Sequence, residues 1–268
     1  MENHTSEELL SAYRDGRRDF RQWEVDGANL MGARLAGADL RGATLDGADL
    51  RGANLTGCDL REASLSGSNL ADANLEGVRL DGARMPNATI VMANLRQAHL
   101  EGANLRRCLL MGSDLQAANL RRACLIGADI KYARLAESDL TECELDWASL
   151  LNARAQHAVL RGARLEGADL RMANLSDSDL SDAVLTCAVL RRSNLSRARL
   201  QRADLRSADL RHANLSSANV ADARMKGAML AGACLDSVNL DEAQRLGADV
   251  AWERLAPDGL YGELGQGD

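Results

Sequence analysis

Catalytic or metal-binding chemistry would depend first on the histidines, cysteines and paired carboxylates of the chain. The four histidines are scattered, and none has metal-ligand spacing to another His, Cys or carboxylate. The six cysteines form no C-x-x-C pair and are too few for a disulfide scaffold, which predicts reduced, buried thiols. No phosphate-binding loop, dinucleotide-binding glycine motif or nucleophile elbow occurs. We therefore predict no enzyme activity, no cofactor and no metal site.

A five-residue repeat must position the remaining side chains. From Leu30 to Leu240 it has about 43 sites, of which 37 are leucine. Five steps place an α-helical leucine about 140° out of line, and they move a strand leucine to the opposite face. The chain must therefore turn once per repeat. If each pentad forms one side of a square coil, four pentads close the coil, and each residue stacks on the one about 20 positions later with a spacing of about 4.8 Å.

A narrow coil explains the composition, because each side has room for one leucine and one small group. The chain contains only 3 Trp, 3 Tyr and 1 Phe, whereas a globular core draws much of its volume from rings. Alanine or another small residue stands two positions before each leucine site. Cys58, Cys108 and Cys143 occupy this position, so we expect them to act as small apolar fillers.

Glycine is frequent two positions after the leucine site, beginning at Gly27. This placement is typical of the third residue of a type II turn, which needs a positive φ. Where a larger residue replaces glycine, as at Arg107, Arg122 and Trp147, we expect another turn type. Asn or Asp directly before the leucine, as at Asn29, is expected to hydrogen-bond the backbone of the bend.

The run GANLMGARLAGADLRGATLDGADLRGANL resembles the A(D/N)LxX pattern of the pentapeptide-repeat family. The resemblance covers residues 27–242 without a slip of register. It implies an all-β fold, a right-handed quadrilateral parallel β-helix. Family functions are diverse, and the resemblance implies action through protein contacts.

Both ends of the chain are predicted to cover the stack of coils, because open ladder ends invite aggregation. Residues 1–26 contain a short helix from Ser6 to about Arg14, and Phe20 and Trp23 are expected to plug the first coil. Residues 243–268 are predicted to form a C-terminal cap or self-association segment with a disordered tail. Members of the topoisomerase-binding group commonly dimerise through this end, which leaves a homodimer open. The candidate self-association residues are Trp252, Leu255, Leu260 and Tyr261.

Two irregularities interrupt the interior pattern. Ala155 lacks the bulk of a leucine and predicts a small void or pinch. Pro86, which has no N–H, directly follows the interior Met85. Either a slight bend or tolerated variation explains them.

The residue before each leucine site and the two after it face outward and form four faces. Face A surrounds sites 30, 50 and 70, face B sites 35 and 55, face C sites 40 and 60, and face D sites 45 and 65. Apolar residues concentrate on face A and the edge it shares with face D, which predicts a docking surface for a foreign partner or a second copy. The candidate interface residues are Val91, Met92, Leu109, Met111, Ile126, Tyr132, Trp147, Leu151, Met172 and Val189. We expect Tyr132 and Trp147 to share one edge, with Trp147 above Gly127.

Face C has an acidic excess, with 12 acidic and 8 basic residues. The candidate acidic face consists of Asp59, Glu62, Asp81, Glu101, Asp139, Glu142, Asp179 and Asp182. In the family it resembles, an acidic rod imitates duplex DNA and binds a type II topoisomerase. The most specific expectation is therefore binding and protection of DNA gyrase or topoisomerase IV, in drug or toxin resistance. The alternative is a signalling or assembly scaffold with no topoisomerase link.

The composition argues against nucleic acid and membrane partners. The net charge is −7, and no basic stripe with interleaved rings is present. No apolar stretch approaches the roughly 20 residues of a membrane helix, and the first residues lack the basic-then-apolar order of a secretory signal. We expect a cytoplasmic protein.

Overall fold

The structure, a computed structural model, describes residues 4–238. Within that range the only α-helix, α1, spans Ser6–Arg14, as predicted. It begins with a capping box, in which Thr5 Oγ1 accepts the N–H of Glu8 at 3.1 Å and the Glu8 carboxylate accepts the N–H of Thr5 at 2.8 Å. The buried Leu9 faces the coil, and the Tyr13 hydroxyl donates to the Ala36 carbonyl at 2.9 Å. The helix is thereby fixed against the first coils.

Aromatic rings close the first coil, as the sequence predicts. Phe20 is fully buried and meets Trp23 edge to face, with ring centroids 5.1 Å apart. The His4 ring stacks on the Trp23 ring, with centroids 3.8 Å apart. The backbone N–H of His4 donates to the Glu24 carbonyl at 2.8 Å. The guanidinium of Arg17 lies 4.7 Å from the Trp23 ring. The N-terminal segment therefore covers apolar surface and a ladder carbonyl together.

Parallel backbone pairing holds successive coils together. Isolated parallel bridges join each paired residue to the one 20 positions later, from Asp19 with Asp39 to Asn214 with Cys234. Around one bridge, Leu30 N–H donates to the Asp49 carbonyl at 2.7 Å, and Asp49 N–H donates to the Ala28 carbonyl at 2.9 Å. Three-residue sides such as 28–30 alternate with two-residue corners such as 31–32. The chain therefore makes four sides per coil, as the five-residue period requires.

The corners share one backbone conformation, and here the expectation from the sequence is wrong. Arg107, Arg122 and Trp147 have φ of 55°, 56° and 60°, close to the 64° of Gly27. Their corners keep the same bond as glycine corners, for example Cys108 N–H to the Leu105 carbonyl at 3.2 Å. Ladder bonds on both sides fix the bend, so a residue other than glycine is forced into the left-handed region instead of adopting another turn.

Leucines and small residues fill the interior, as predicted. Nearly all residues at the leucine sites from Leu30 to Leu230 are at most 1% exposed. Serines at the alanine position satisfy their hydroxyls locally, for example Ser68 Oγ to the Leu65 carbonyl at 2.8 Å. Cys58 is also fully buried, with its Sγ 2.9 Å from the Leu35 carbonyl. A polar atom at this position is therefore tolerated where it reaches a carbonyl.

The prediction of buried thiols holds for half of the cysteines. Cys58, Cys108 and Cys143 are buried in the interior, which confirms their role as fillers. Cys187 and Cys234 are exposed and Cys124 is half-buried, because these three occupy outward positions of the repeat. For them the prediction is wrong.

Asn and Asp side chains directly before the leucine sites accept hydrogen bonds from backbone N–H groups of the corners. Asn29 Oδ1 accepts the N–H of Met31 at 3.3 Å, and Asn54 Oδ1 accepts that of Thr56 at 3.1 Å, as predicted. The backbone ladder does not use this N–H. Pro86 stands at the same corner position, so its missing N–H breaks no ladder bond, and proline suits the second residue of a turn. The Pro86 carbonyl still accepts from Gly67 at 2.9 Å.

The ladder also continues through Ala155. Its N–H donates to the Asn174 carbonyl at 2.7 Å, and the N–H of Ala158 donates to the Ala155 carbonyl at 3.2 Å. The side chain is 2% exposed. The smaller residue is therefore accommodated without a break in the backbone pairing.

The candidate self-association residues Trp252, Leu255, Leu260 and Tyr261 lie outside the described residues. Within residues 4–238, no helix has the length and apolar character needed to cross a bilayer.

Candidate protein-docking surface

The groups that could do chemistry are separated by the fold. Across residues 4–238, no three His, Cys, Asp or Glu side chains come together as metal ligands. His99, His157 and His212 are exposed on different coils, while His4 is stacked in the N-terminal plug. Burial raises the pKa of the Cys58 thiol to about 11, so this cysteine is a poor nucleophile.

The other two interior thiols are equally unreactive. Burial raises the pKa of Cys108 and of Cys143 to about 12. Their sulfurs also lie against the Met85 and Leu120 carbonyls. The interior cysteines therefore serve as packing groups.

The structure divides the candidate interface over two edges of face A. The face A sides, such as 128–130 and 148–150, run from the corner shared with face D to the corner shared with face B. Tyr132 lies in a corner after such a side and Trp147 in a corner before one. The expectation that the two rings share an edge is therefore wrong, because the residues after a leucine site belong to the next corner.

We call the row at the corner between faces A and B the edge strip. It consists of Val91, Met92, Met111, Tyr132, Leu151 and Met172. Met92, Tyr132 and Met172 are 62%, 53% and 53% exposed. Leu109 and Val189 lie in the middle of face A, where both take part in bridges. Ile126 and Trp147 lie at the opposite edge.

Corner side chains lean toward the coil that follows. A Cβ at Gly167 would collide with the ring of Trp147, and one at Gly112 would lie 2.5 Å from Met92 Sδ. At Gly127, above which Trp147 was expected to lie, the side chain nearest to an added Cβ is that of Arg107. Trp147 therefore covers Gly167, not Gly127. A large corner residue followed by glycine 20 positions later is the sequence signal for this contact.

Two shallow grooves border the edge strip. The first is lined by Met92, Tyr132 and Met172 together with Arg134 and Arg154 from face B. The second continues from Met172 along the same edge, and its other lining residues are Leu151, Arg171, Arg191, Arg192 and His212. Sorting residues by face separated Arg134 and Arg154 of face B from the apolar residues of face A, so the sequence analysis missed that they meet at one edge. It also missed Met31, which is 60% exposed at the same edge near the N-terminus.

Face C is largely neutralised by ion pairs. Asp59 lies 2.6 Å from Arg61 and 3.7 Å from Arg79. The Arg61 hydrogen bond holds the pKa of the Asp59 carboxyl below its usual value, against the effect of burial. Other candidate carboxylates also contact arginine: Asp139 with Arg121, Glu142 with Arg122, Asp179 with Arg161 and Asp182 with Arg202.

The remaining three, Glu62, Asp81 and Glu101, make no ion pair with another residue of the described range. They follow one another on successive coils. Among the eight candidate carboxylates of face C, those without such an ion pair therefore lie in one short segment.

Known proteins resemble the chain along most of its length. The model of the pentapeptide repeats matches in 8 copies, over residues 28–67, 58–91, 93–131, 138–177, 173–211 and 208–243. No curated protein matches. Among solved structures, HetL is a pentapeptide-repeat protein involved in regulating heterocyst differentiation in the cyanobacterium Nostoc sp. strain PCC 7120. It is 31% identical, with a TM-score of 0.48, over 89% of this chain and 97% of its own.

A second solved structure is QnrB1, a plasmid-mediated fluoroquinolone resistance protein. It is 18% identical, with a TM-score of 0.37, over 85% of this chain and 97% of its own. The family model covers well over half of the residues and follows the same five-residue register as the coils described above. The chain therefore belongs to the pentapeptide-repeat family.

Proposed function

We propose that this protein is a non-enzymatic, right-handed β-helical rod that docks another protein along the edge strip, as a signalling or assembly scaffold. The observation that carries the proposal is the exposure of Met92, Tyr132 and Met172 in one row. Large apolar side chains grouped on a surface mark protein-binding sites, and Tyr is among the residues enriched in their energetic centres.

The ladder gives this row a regular spacing. Met92, Tyr132 and Met172 are 40 positions apart, which corresponds to two coils and about 10 Å. Backbone bonds at the strip fix each coil to the next, such as Tyr132 N–H to the Leu151 carbonyl at 3.0 Å. A partner would meet side chains on a rigid support, so little backbone ordering opposes binding.

Protection of DNA gyrase or topoisomerase IV by imitation of DNA, in drug or toxin resistance, depends on a different surface. It needs dense negative charge that arginines do not compensate. The ion pairs of Asp59, Asp139 and Asp179 reduce that charge on face C. The charge distribution therefore favours docking at the edge strip.

One experiment compares the two surfaces. The intact protein, a strip variant with Tyr132→Glu and Met172→Glu, and a face C variant with Asp139→Lys and Glu142→Lys are immobilised and exposed to a lysate of the host cell. We expect a protein retained by the first and third forms and lost from the strip variant. Each form is also added at micromolar concentration to a gyrase supercoiling assay, with and without a fluoroquinolone, and we expect no effect.

Two results would contradict the proposal. One is retention that is unchanged in the strip variant. The other is inhibition of supercoiling, or protection from the drug, that the face C variant abolishes. Circular dichroism of all three forms checks that the coils are intact.

A further inference from the structure

The residue types that can carry a charge near neutral pH and that line the two grooves of the edge strip are all basic. They are Arg134 and Arg154 in the first groove, and Arg171, Arg191, Arg192 and His212 in the second. No carboxylate lines either groove. The chain as a whole has a net charge of −7, and the grooves near the N-terminus include Asp19, Glu62, Glu7 and Glu8. Those grooves also contain arginines, so what distinguishes this edge is the lack of a lining carboxylate.

The lack of one carboxylate, at position 189, leaves the second groove with an excess of positive charge. Arg171 and Arg211 each contact the Asp two positions earlier, at 2.7 Å from Asp169 and Asp209. At the corresponding position before Arg191 the chain has Val189, so Arg191 shares Asp209 at 3.2 Å. Two guanidinium groups thus share one carboxylate.

Arg192 adds a further charge beside this shared pair. It is an exposed corner residue with φ of 57°, and it makes no ion pair within residues 4–238. In the first groove, Arg154 is likewise exposed and makes no ion pair in the described range. Arg134 and Arg96 both lie 3.5 Å from one carboxylate, that of Asp114. Basic charge therefore exceeds acidic charge in both grooves.

We infer that the docked partner is a protein segment that carries Asp or Glu side chains next to apolar ones. Its apolar residues would pack on Met92, Tyr132 and Met172, and its carboxylates would pair with Arg192 and Arg191. This inference rests on the proposed function, and it adds the chemical class of the partner. Bidentate pairing with guanidinium suits carboxylates, and charge complementarity of this kind sets partner choice and association rate.

The probe is a library of random 16-residue peptides displayed on phage, selected on the intact protein. We expect the enriched peptides to combine apolar residues with an excess of Asp and Glu. Labelled synthetic copies of these peptides are then titrated by fluorescence anisotropy. We expect Arg192→Glu to weaken binding about tenfold or more, with a larger loss at low salt.

Arg107→Glu is the matched control. Arg107 is also an exposed corner arginine, with φ of 55° and no ion pair in the described range, but it lies at the opposite edge of face A. We expect this variant to bind the peptides like the original protein. Equal losses in the two variants would show a general charge effect and would overturn the inference.

Other outcomes separate this inference from the proposed function. Peptides without acidic bias, lost with Tyr132→Glu but unaffected by Arg192→Glu, would overturn the inference and leave docking at the strip intact. Failure to enrich any peptide, or binding indifferent to both substitutions, would overturn both. A labelled DNA or RNA 20-mer that binds more tightly than the peptides, and is released by Arg192→Glu, would assign the grooves to nucleic acid instead.

Discussion

Every corner from Gly27 to Gly57 holds glycine, whereas none from Met172 to Asp222 does. The backbone hardly changes, with φ of 62–68° in the first region and 57–61° in the second. A residue other than glycine in the left-handed region costs about 1–2 kcal/mol. Glycine is therefore not needed to form the corner. A glycine corner has no backbone strain but presents no side chain to solvent. A corner with a larger residue presents a side chain and carries the strain of a positive φ.

The largest expected effect comes from adding side chains to glycine corners. Gly32, Gly37 and Gly52 have φ of 64°, 68° and 63°, and a Cβ at each would meet open space. The triple substitution to alanine should therefore lower the free energy of unfolding by about 1.5–3 kcal/mol, which is the strain less the chain entropy that alanine removes from the unfolded state. Chemical denaturation followed by circular dichroism measures the loss.

The matched triple lies in the second region. Arg192→Ala, Ser207→Ala and Ser217→Ala exchange one side chain for another at corners that already have positive φ. We expect the free energy of unfolding to stay within about 1 kcal/mol of the original value. Similar losses in the two triples would refute the contrast between the regions.

Substitution of a glycine corner that contacts an aromatic ring should destabilise the protein more than substitution of a glycine corner in open space. Gly167→Ala adds a collision with the Trp147 ring to the strain that Gly52→Ala also suffers. We expect the free energy of unfolding to fall by about 1 kcal/mol more at Gly167, with a change in tryptophan emission as the ring moves. Trp147→Ala should remove the excess, and a double-mutant cycle that finds no coupling would contradict the packing described.

Replacing an exposed corner side chain of the edge strip with glycine should weaken binding and raise the free energy of unfolding. Tyr132→Gly relieves a φ of 60°, so the free energy of unfolding should rise by roughly 0.5–1 kcal/mol after the greater chain entropy of glycine is subtracted. Binding at the edge strip should weaken. Tyr132→Ala should weaken binding without the gain in stability, and equal stability of the two variants would contradict a strained corner.

The smallest expected effect concerns ion pairs, which both regions share. Hydrogen bonds from Arg41 and Arg206 hold the pKa of Asp39 and of Asp204 below their usual values, although burial opposes them. Because the folded-state pKa is the lower one, the stabilisation is present above the unfolded-state pKa of about 3.9 and is lost as the pH falls through the folded value. Asp39→Asn and Asp204→Asn should each reduce the loss of stability measured between pH 5 and pH 2, and by similar amounts. A large difference between the two variants would show that the two regions also differ in the contribution of their ion pairs to stability.

The interior could be predicted from the sequence because one rule governs it. The spacing of Leu30, Leu35 and their successors leaves only a chain that turns every five residues. The N-terminal helix from Ser6 and the plug formed by Phe20 and Trp23 could be predicted as well. These features depend on sterics and burial, which residue type reveals directly.

The corners and the surface could not be predicted in the same way. Turn preferences describe isolated turns, whereas Arg107 is held by ladder bonds such as its N–H to the Ile126 carbonyl at 3.0 Å. The direction in which Trp147 leans is set by the next coil, so it was assigned to the wrong glycine. The charge of the docking edge also escaped notice, because Arg134 and Tyr132 belong to different faces yet line one groove.

The pairing of each residue with the one 20 positions later also limits how such a protein can change in length. Loss of a single pentad between Met92 and Met172 would leave the leucine column filled, but it would rotate every later side chain by a quarter turn and carry Met172 away from Met92. Loss of four pentads would only shorten the rod. Folding therefore permits length changes in small steps, whereas a binding surface that spans several coils survives only the removal or insertion of whole coils.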